Sequence, residues 1–407
     1  MKTFKFVAAE AVLLVLSAFV SGQTNSLPKP DGKYSIGVTY LSFTDEKRIE
    51  LFDNNLKNKR EITVKVWYPA DEKSSPEPYL RNAEFAIKYC QVPEIFRNIT
   101  TNSSLNLSVS NGSKKYPVLV FSHGWGEHYA QNTILMEELA SNGYIIFSIA
   151  HHFECKYSEY PDGKTFSIDF NSRRFQKILG EQQNPEAMEL YKKMFDATSN
   201  DERMKVFYET SDAMPALLKE SPKYWAEDIS FFLDQINSIN ESNGLLTGKI
   251  DVDRIGVFGM SMGGMATSDL CMYDKRVIAG ISMDGGIYGA VLEGKMNVPF
   301  MFLSSRRYNG YGDLFIGKSN RDCYALAIKD ADHYNFSDNS LYPSPGISFL
   351  LGSIDGKRAL DITDAIVLSF FDKYVKLDKK TDLLKEASKF PEVEISSNID
   401  PDSVPYR

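Results

Sequence analysis

Residues 256–264 read Gly-Val-Phe-Gly-Met-Ser-Met-Gly-Gly, a G-x-S-x-G motif formed by Gly259, Ser261 and Gly263. Arg254 to Phe258, just before the serine, has the short apolar character of a buried strand. Gly263 to Met272, just after it, reads as a helix. The chain must therefore turn from strand to helix within a residue or two. Such a turn forces Ser261 into a strained backbone conformation, and the flanking glycines remove the Cβ atoms that would collide there. Ser261 Oγ then stands at the top of a sheet, and the helix N-terminus beside it favours developing negative charge. Outside this context the motif is only a tight turn. Within it, Ser261 is the candidate nucleophile.

Working outward, the chain alternates strands and helices. Pro117 to Phe121 and Tyr144 to Ala150 are continuous apolar runs of the kind found in parallel sheets covered on both faces. Thr133 to Ser141 between them is helical and is stopped by Asn142-Gly143. Val277 to Met283, Val298 to Leu303 and Tyr324 to Ile328 are further strands, and Asp361 to Leu377 is a closing helix. Lys223 to Ile239 places Trp225, Ile229, Phe232, Leu233 and Ile236 at helical spacing, a core-facing stripe. Tyr34 to Phe43 and Glu61 to Tyr68 read as early antiparallel strands. The fold class is α/β, with a mostly parallel central sheet, flanking helices and a helical insertion before the nucleophile strand. That insertion, residues 157–221, is polar and rich in Met, Phe and Tyr, with helices at Pro185 to Phe195 and Asp201 to Tyr208. It is either a lid or a solvated decoration.

A serine needs a base at neutral pH. The chain has five histidines, and only His333 follows Ser261. In wound sheets with this elbow the order is nucleophile, acid, histidine, so His333 is the candidate base. It lies just beyond a strand, where such sheets carry their sites. Asp284 ends the run Val277 to Met283 and is the favoured acid, with Asp313, Asp330 and Asp332 as rivals. An oxyanion requires backbone N–H donors. Met262, after the nucleophile, supplies one, and Trp125 in Phe121-Ser122-His123-Gly124-Trp125-Gly126 supplies the other, with His123 shaping that loop. No spacing suggests a metal site, and no cofactor is expected.

These residues together resemble a family. Tyr116 to Leu377 is similar to the plasma-type, secreted platelet-activating factor acetylhydrolases and their bacterial relatives. The likeness rests on Phe-Ser-His-Gly-Trp-Gly at residues 121–126 and Gly-Met-Ser-Met-Gly-Gly at 259–264. It extends to Met-Asp-Gly at 283–285, His-Tyr-Asn-Phe-Ser-Asp at 333–338, the pair His151-His152 and Trp67-Tyr68-Pro69. The resemblance implies the α/β-hydrolase fold, a triad of Ser261, Asp284 and His333, and calcium-independent hydrolysis of short or oxidised acyl chains at the sn-2 position of phospholipids. Lipoprotein or peripheral membrane contact belongs to the same expectation. This chain departs from the pattern at Met260, where the family often has His, in the 157–221 insertion, and in the segment Asn98 to Ser113.

Composition sets the remaining bounds. With 43% hydrophobic and 25% charged residues the chain is ordinary globular material, and its net charge of -8 gives no basic footprint for nucleic acid. Lys2 and Lys5, an apolar run densest from Ala11 to Val20, and the small residues Val20-Ser21-Gly22 read as a signal peptide over residues 1–22. An uncleaved anchor is the competing reading. The expected product is secreted, or periplasmic in a bacterial host, with a hydrolase domain at 23–378 and a loosely held tail at 379–407. Cys90, Cys155, Cys271 and Cys323 pair as disulfides or stay free and buried. Sequons at Asn98, Asn102, Asn106 and Asn111 suggest an exposed polar loop, and Asn240 and Asn335 begin two more. Two other functions compete with phospholipid hydrolysis. One is a carboxylesterase for acetylated carbohydrate or polyester. The other is an inactive binding module, disfavoured because all three triad candidates are present. The oligomeric state is not legible in the sequence.

Overall fold

A computed structural model describes residues 26–399, apart from 54–56, 183–184, 214–215, 287–290, 292–293, 306–309 and 344–345. The signal segment lies outside the described residues. The apolar runs become strands buried along their whole length: β5 (Tyr116–Ser122), β6 (Ile145–His151) and, but for one residue, β10 (Val277–Met283). Their side chains alternate between two cores. Val118 and Val120 face one side with Ile229 and Phe232, and Leu119 and Phe121 face the other with Ile366 and Phe370. Burial on both faces explains why these strands show no polar alternation.

Thirteen strands are described. The others are β1 (Ser35–Ile49), β2 (Lys59–Ala70), β3 (Pro76–Pro78), β4 (Thr100–Leu105), β7 (Tyr157–Glu159), β8 (Thr165–Ser167), β9 (Ile250–Met260), β11 (Phe300–Ser304), β12 (Cys323–Ile328) and β13 (Val393–Ser397). Eleven form one sheet in the order β13-β12-β11-β10-β9-β5-β6-β2-β1-β4-β3, and β7 and β8 form a hairpin of their own. From β12 to β6 every pairing is parallel. β2 pairs antiparallel to β6 and to β1, as the early strands were expected to do. The parallel register matters for function. Ser122 of β5 sits opposite Gly259 of β9, Met260 opposite Met283 of β10, and Met283 opposite Leu303 of β11. Strand ends are thus level, and the residues that follow them emerge along one edge.

Helices Ala216–Glu241 and Met262–Tyr273 cover one face, and Thr133–Ser141 and Gly356–Tyr374 cover the other. The 157–221 stretch contains the β7–β8 hairpin, an unforeseen helix at Arg173–Gln182, and helices Pro185–Asp196 and Asn200–Ala213. Ile178, Val206 and Phe207 enter the same core cluster as Trp225, Met262 and Met265.

Two expectations are corrected. The Asn98–Ser113 segment is not simply an exposed loop, because β4 lies parallel to β1 with Thr101, Ser103 and Ser104 buried. The Asn102 amide donates to Pro28 O at 2.7 Å and Glu137 Oε2 at 2.8 Å, which uses both of its hydrogens. Asn335 is likewise buried in hydrogen bonds. As far as residue 399, the end of the described residues, the tail is not loosely held. Helix Leu383–Ala387 buries Leu383 and Ala387, and β13 closes the sheet edge against β12. The four cysteines are free and buried.

Candidate active site

Ser261 caps the helix Met262–Tyr273 with φ 56° and ψ −119°, a left-handed conformation that non-glycine residues rarely adopt. The motif glycines explain how the turn closes. A Cβ on Gly259 would stand 2.3 Å from the Gly263 carbonyl, and one on Gly263 only 2.0 Å from Ser122 O. The elbow therefore packs backbone on backbone against the end of β5. Ser261 N donates to Met283 O at 2.9 Å, which ties the serine to the residue before Asp284.

The structure brings His333 and Asp284 together. His333 Nδ1 lies 2.5 Å from Asp284 Oδ2, and Asp284 Oδ1 accepts from Ser305 N at 2.7 Å. Asp284 is buried and has φ 47°, while the His333 side chain is 19% exposed, and its Nδ1 is the ring atom engaged by Asp284. Among the rival acids, Asp332 is turned to its own loop, where it caps the turn His333–Phe336 by accepting from His333 N, and Asp330 is exposed. Among the described residues no hydrogen bond joins His333 to Ser261 Oγ. In unliganded sites of this kind that bond is commonly long and tightens around substrate.

The loop after β5 lies against the serine: a Cβ on Gly124 would be 3.4 Å from Ser261 Cβ. Gly124 N donates to Gln131 Oε1, Gly126 N to Glu154 O and Glu127 N to Gly124 O. Trp125 N has no acceptor among the described residues, and Met262 N begins a helix, ahead of its i−4 ladder. Two N–H groups in the segments that meet at Ser261 thus have no acceptor among the described residues.

The model of the family described as platelet-activating factor acetylhydrolase, isoform II, matches residues 19–392. The chain belongs to the platelet-activating factor acetylhydrolase family. Curated members similar to it include the platelet-activating factor acetylhydrolase of Canis lupus familiaris, 24% identical over 394 residues (90% of this chain, 81% of that protein). That of Bos taurus is 24% identical over 396 residues, with the same coverage. Among solved structures, a ferulic acid esterase from Streptomyces cinnamoneus aligns with TM-score 0.66 and 21% identity over 91% of this chain and 98% of its own, a likeness of fold. This member of the acetylhydrolase family is an esterase with the α/β-hydrolase fold.

A hydrogen-bonded Ser-His-Asp relay built from other residues runs beneath the candidate site of this family member. Ser122 Oγ meets His151 Nε2 at 2.8 Å, and His151 Nδ1 meets Asp228 Oδ2 at 2.8 Å. All three are fully buried, and Asp228 also binds Arg60 (2.5 and 3.0 Å) and Arg48 (2.7 Å). Burial alone would raise the Asp228 carboxyl, but Arg60 and the hydrogen bonds from His151 and Arg60 hold it well below the usual range. Burial also pushes the His151 imidazole down to about 4. With His151 neutral, enclosed and stacked on Trp225, and Asp228 paired to buried arginine, this relay is a piece of core. The sequence reading missed Asp228, yet a signal was there: a carboxylate one turn from Trp225 and Phe232 on the apolar stripe requires a buried cation. Gln131 and the bond from Tyr334 Oη to Glu127 Oε1 (2.7 Å), which joins the His333 loop to the Trp125 loop, carried no sequence signal.

Proposed function

We propose that this chain is a secreted serine esterase that removes short or oxidised acyl groups from phospholipids through an acyl-enzyme on Ser261. The observation that carries the reading is the strained Ser261, whose N–H is tied to Met283 O, the residue before the Asp284 that holds His333. Ser261 Oγ attacks the acyl carbonyl carbon while its proton passes to His333 Nε2. Asp284 accepts from Nδ1–H, holds the ring in the tautomer whose Nε2 is free, and stabilises the imidazolium. The N–H groups of Trp125 and Met262 receive the oxyanion. Collapse expels the alcohol, which takes the proton from His333. Water, deprotonated by His333, then releases the acid and restores Ser261.

Several features support the finer reading. The mammalian relatives carry an acetylhydrolase name. A cavity of about 120 Å³ beside Trp125, walled by Phe52, Phe153, Ile168, Phe175 and Ile178 with Asp53, Glu154, Asp169 and Ser172 among them, is of a size for a small acyl group, holding about four waters' worth of volume. Phe175 of the insertion stacks on Trp125 at 5.3 Å, which supports the insertion as a lid on this pocket. The N-terminal charge and apolar run support secretion, and among the described residues no helix is long and apolar enough to cross a membrane. Contact with a lipid surface or lipoprotein belongs to the same reading.

The test is hydrolysis of a phospholipid panel graded by sn-2 chain length, alongside acetylated sugars and Ser261→Ala. Turnover that falls steeply with chain length and vanishes in the variant is expected. Turnover of the sugars with none of the phospholipids would move the chain to the carbohydrate esterases.

A further inference from the structure

Gly124 C=O and Trp125 N–H are two ends of one peptide unit. In a planar trans peptide they point in opposite directions, so whatever fixes the carbonyl aims the N–H. The peptides here are trans. Gly124 O accepts from His123 Nδ1 at 2.7 Å and from Glu127 N at 3.0 Å, which fills both lone pairs. The protonation of His123 is forced. His151 N reaches His123 Nε2 at 3.1 Å and can only donate, so Nε2 is bare and the proton sits on Nδ1. His123 is fully buried, and burial, then the neighbouring His151, holds it neutral. On the other side, Gly124 N donates to Gln131 Oε1 at 2.8 Å. That orients the Gln131 amide, whose Nε2 therefore meets Met260 Sδ, on the residue before the serine. Gln131 thus spans the two halves of the site, with one end on the Trp125 loop and the other on the Ser261 elbow. Sulfur is a weak acceptor, and the amide is committed at its oxygen end.

We propose that His123 and Gln131 are positioning residues that clamp Gly124 from both sides, so that Trp125 N–H is held aimed at the oxyanion forming on the acyl carbon attacked by Ser261. This rests on the serine-esterase reading above. The donor is then preorganised before substrate arrives, which is where such groups gain their catalytic value. Removing a donor outright costs about 10²–10³ in kcat, so misaiming one costs about 10–10².

The experiment measures kcat and KM of full-length wild type, Gln131→Met and His123→Phe on a nitrophenyl acetate. Rates are normalised to sites titrated by a fluorophosphonate, and Ki is measured for an aryl trifluoromethyl ketone, which becomes an oxyanion only when Ser261 adds to it. Gln131→Met keeps the side-chain length and removes the acceptor. It carries the test alone where His123→Phe yields little titratable protein. The expected result is a fall of about 10–10²-fold in kcat per titrated site, KM little changed, and Ki raised by the same factor as kcat falls. A purely structural role would lower the titrated fraction and leave kcat and Ki per site unmoved, and that result overturns the inference. Ser261→Ala separates the two levels. If it retains wild-type turnover the serine reading fails, whereas if it is inactive and the clamp variants are normal only the clamp fails.

Discussion

Each of the two Ser-His-Asp sets holds a histidine Nδ1 against a buried aspartate, His333 on Asp284 and His151 on Asp228, and removing the acid from each is expected to give opposite phenotypes. In Asp284→Asn the amide oxygen still accepts from Ser305 N, but the amide N–H now faces His333 Nδ1. That forces the imidazole proton onto Nε2, where the base should be bare. The expected loss is about 10⁴ in kcat, the size tautomer inversion has in Ser-His-Asp enzymes, with stability within about 1 kcal/mol of wild type. In Asp228→Asn the serine nucleophile is untouched, but one carboxylate oxygen becomes an N–H that cannot accept from Arg60, and Arg60, fully buried, keeps Glu50 as its one anionic partner among the described residues, while Arg48 keeps Asp45. Breaking a buried pair from one side costs about 3–5 kcal/mol. At about 2.1 cal/mol/K per residue over 407 residues, that lowers Tm by about 4–6 °C. Urea or thermal unfolding followed by tryptophan fluorescence, with kcat per fluorophosphonate-titrated site, reads both axes. Retained turnover in Asp284→Asn, or lost turnover at unchanged Tm in Asp228→Asn, would refute the assignment of the two relays.

Further consequences can be checked in the same way. Gly263→Ala would press a methyl into Ser122 O and His123 O, backbone atoms that cannot rotate away, so we expect about 1–3 kcal/mol of destabilisation or more, together with lost turnover as the elbow parts from β5. Wild-type Tm and turnover in that variant would contradict the packing. Burial pushes the His152 imidazole from 6.5 down to about 3. Between those values the unfolded chain binds the extra proton, so stability falls as pH falls, by up to about 1.4 kcal/mol per pH unit for this group. Asp338, which burial pushes up to about 8, acts with the opposite sign, but it is common to wild type and His152→Gln. The difference between their urea midpoints should therefore shrink on acidification below pH 6.5, and a constant difference would count against a neutral buried His152. Deleting everything after Asp378 removes β13 and bares the edge of β12, and size-exclusion light scattering should then show association, where a loose tail would leave a well-behaved protein.

Much of this site was legible because parallel sheets impose order on sequence. Buried strands are continuous apolar runs, and the residue after each run is offered to one edge, which is how Ser261, Asp284 and the Trp125 loop stand out in the sequence as candidates. His333 followed from chain order. What escaped depends on pairing in space. Asp228 is meaningful only beside Arg60, 168 residues away, and Gln131 only beside Gly124 and Met260. β4 was hidden because its Thr and Ser side chains find partners such as Glu137 rather than apolar neighbours. β13, Val-Glu-Ile-Ser-Ser, is a half-exposed edge whose alternation was masked by the charged residues around it.

The central claim is that Ser261 carries the acyl group. Titration with a fluorophosphonate, with the modified residue located by peptide mass spectrometry, tests it most directly. The account predicts one label per chain, on Ser261, with ester hydrolysis falling in proportion to labelling. Full activity in fully labelled protein, or a label on another residue that tracks the loss of activity, would contradict it.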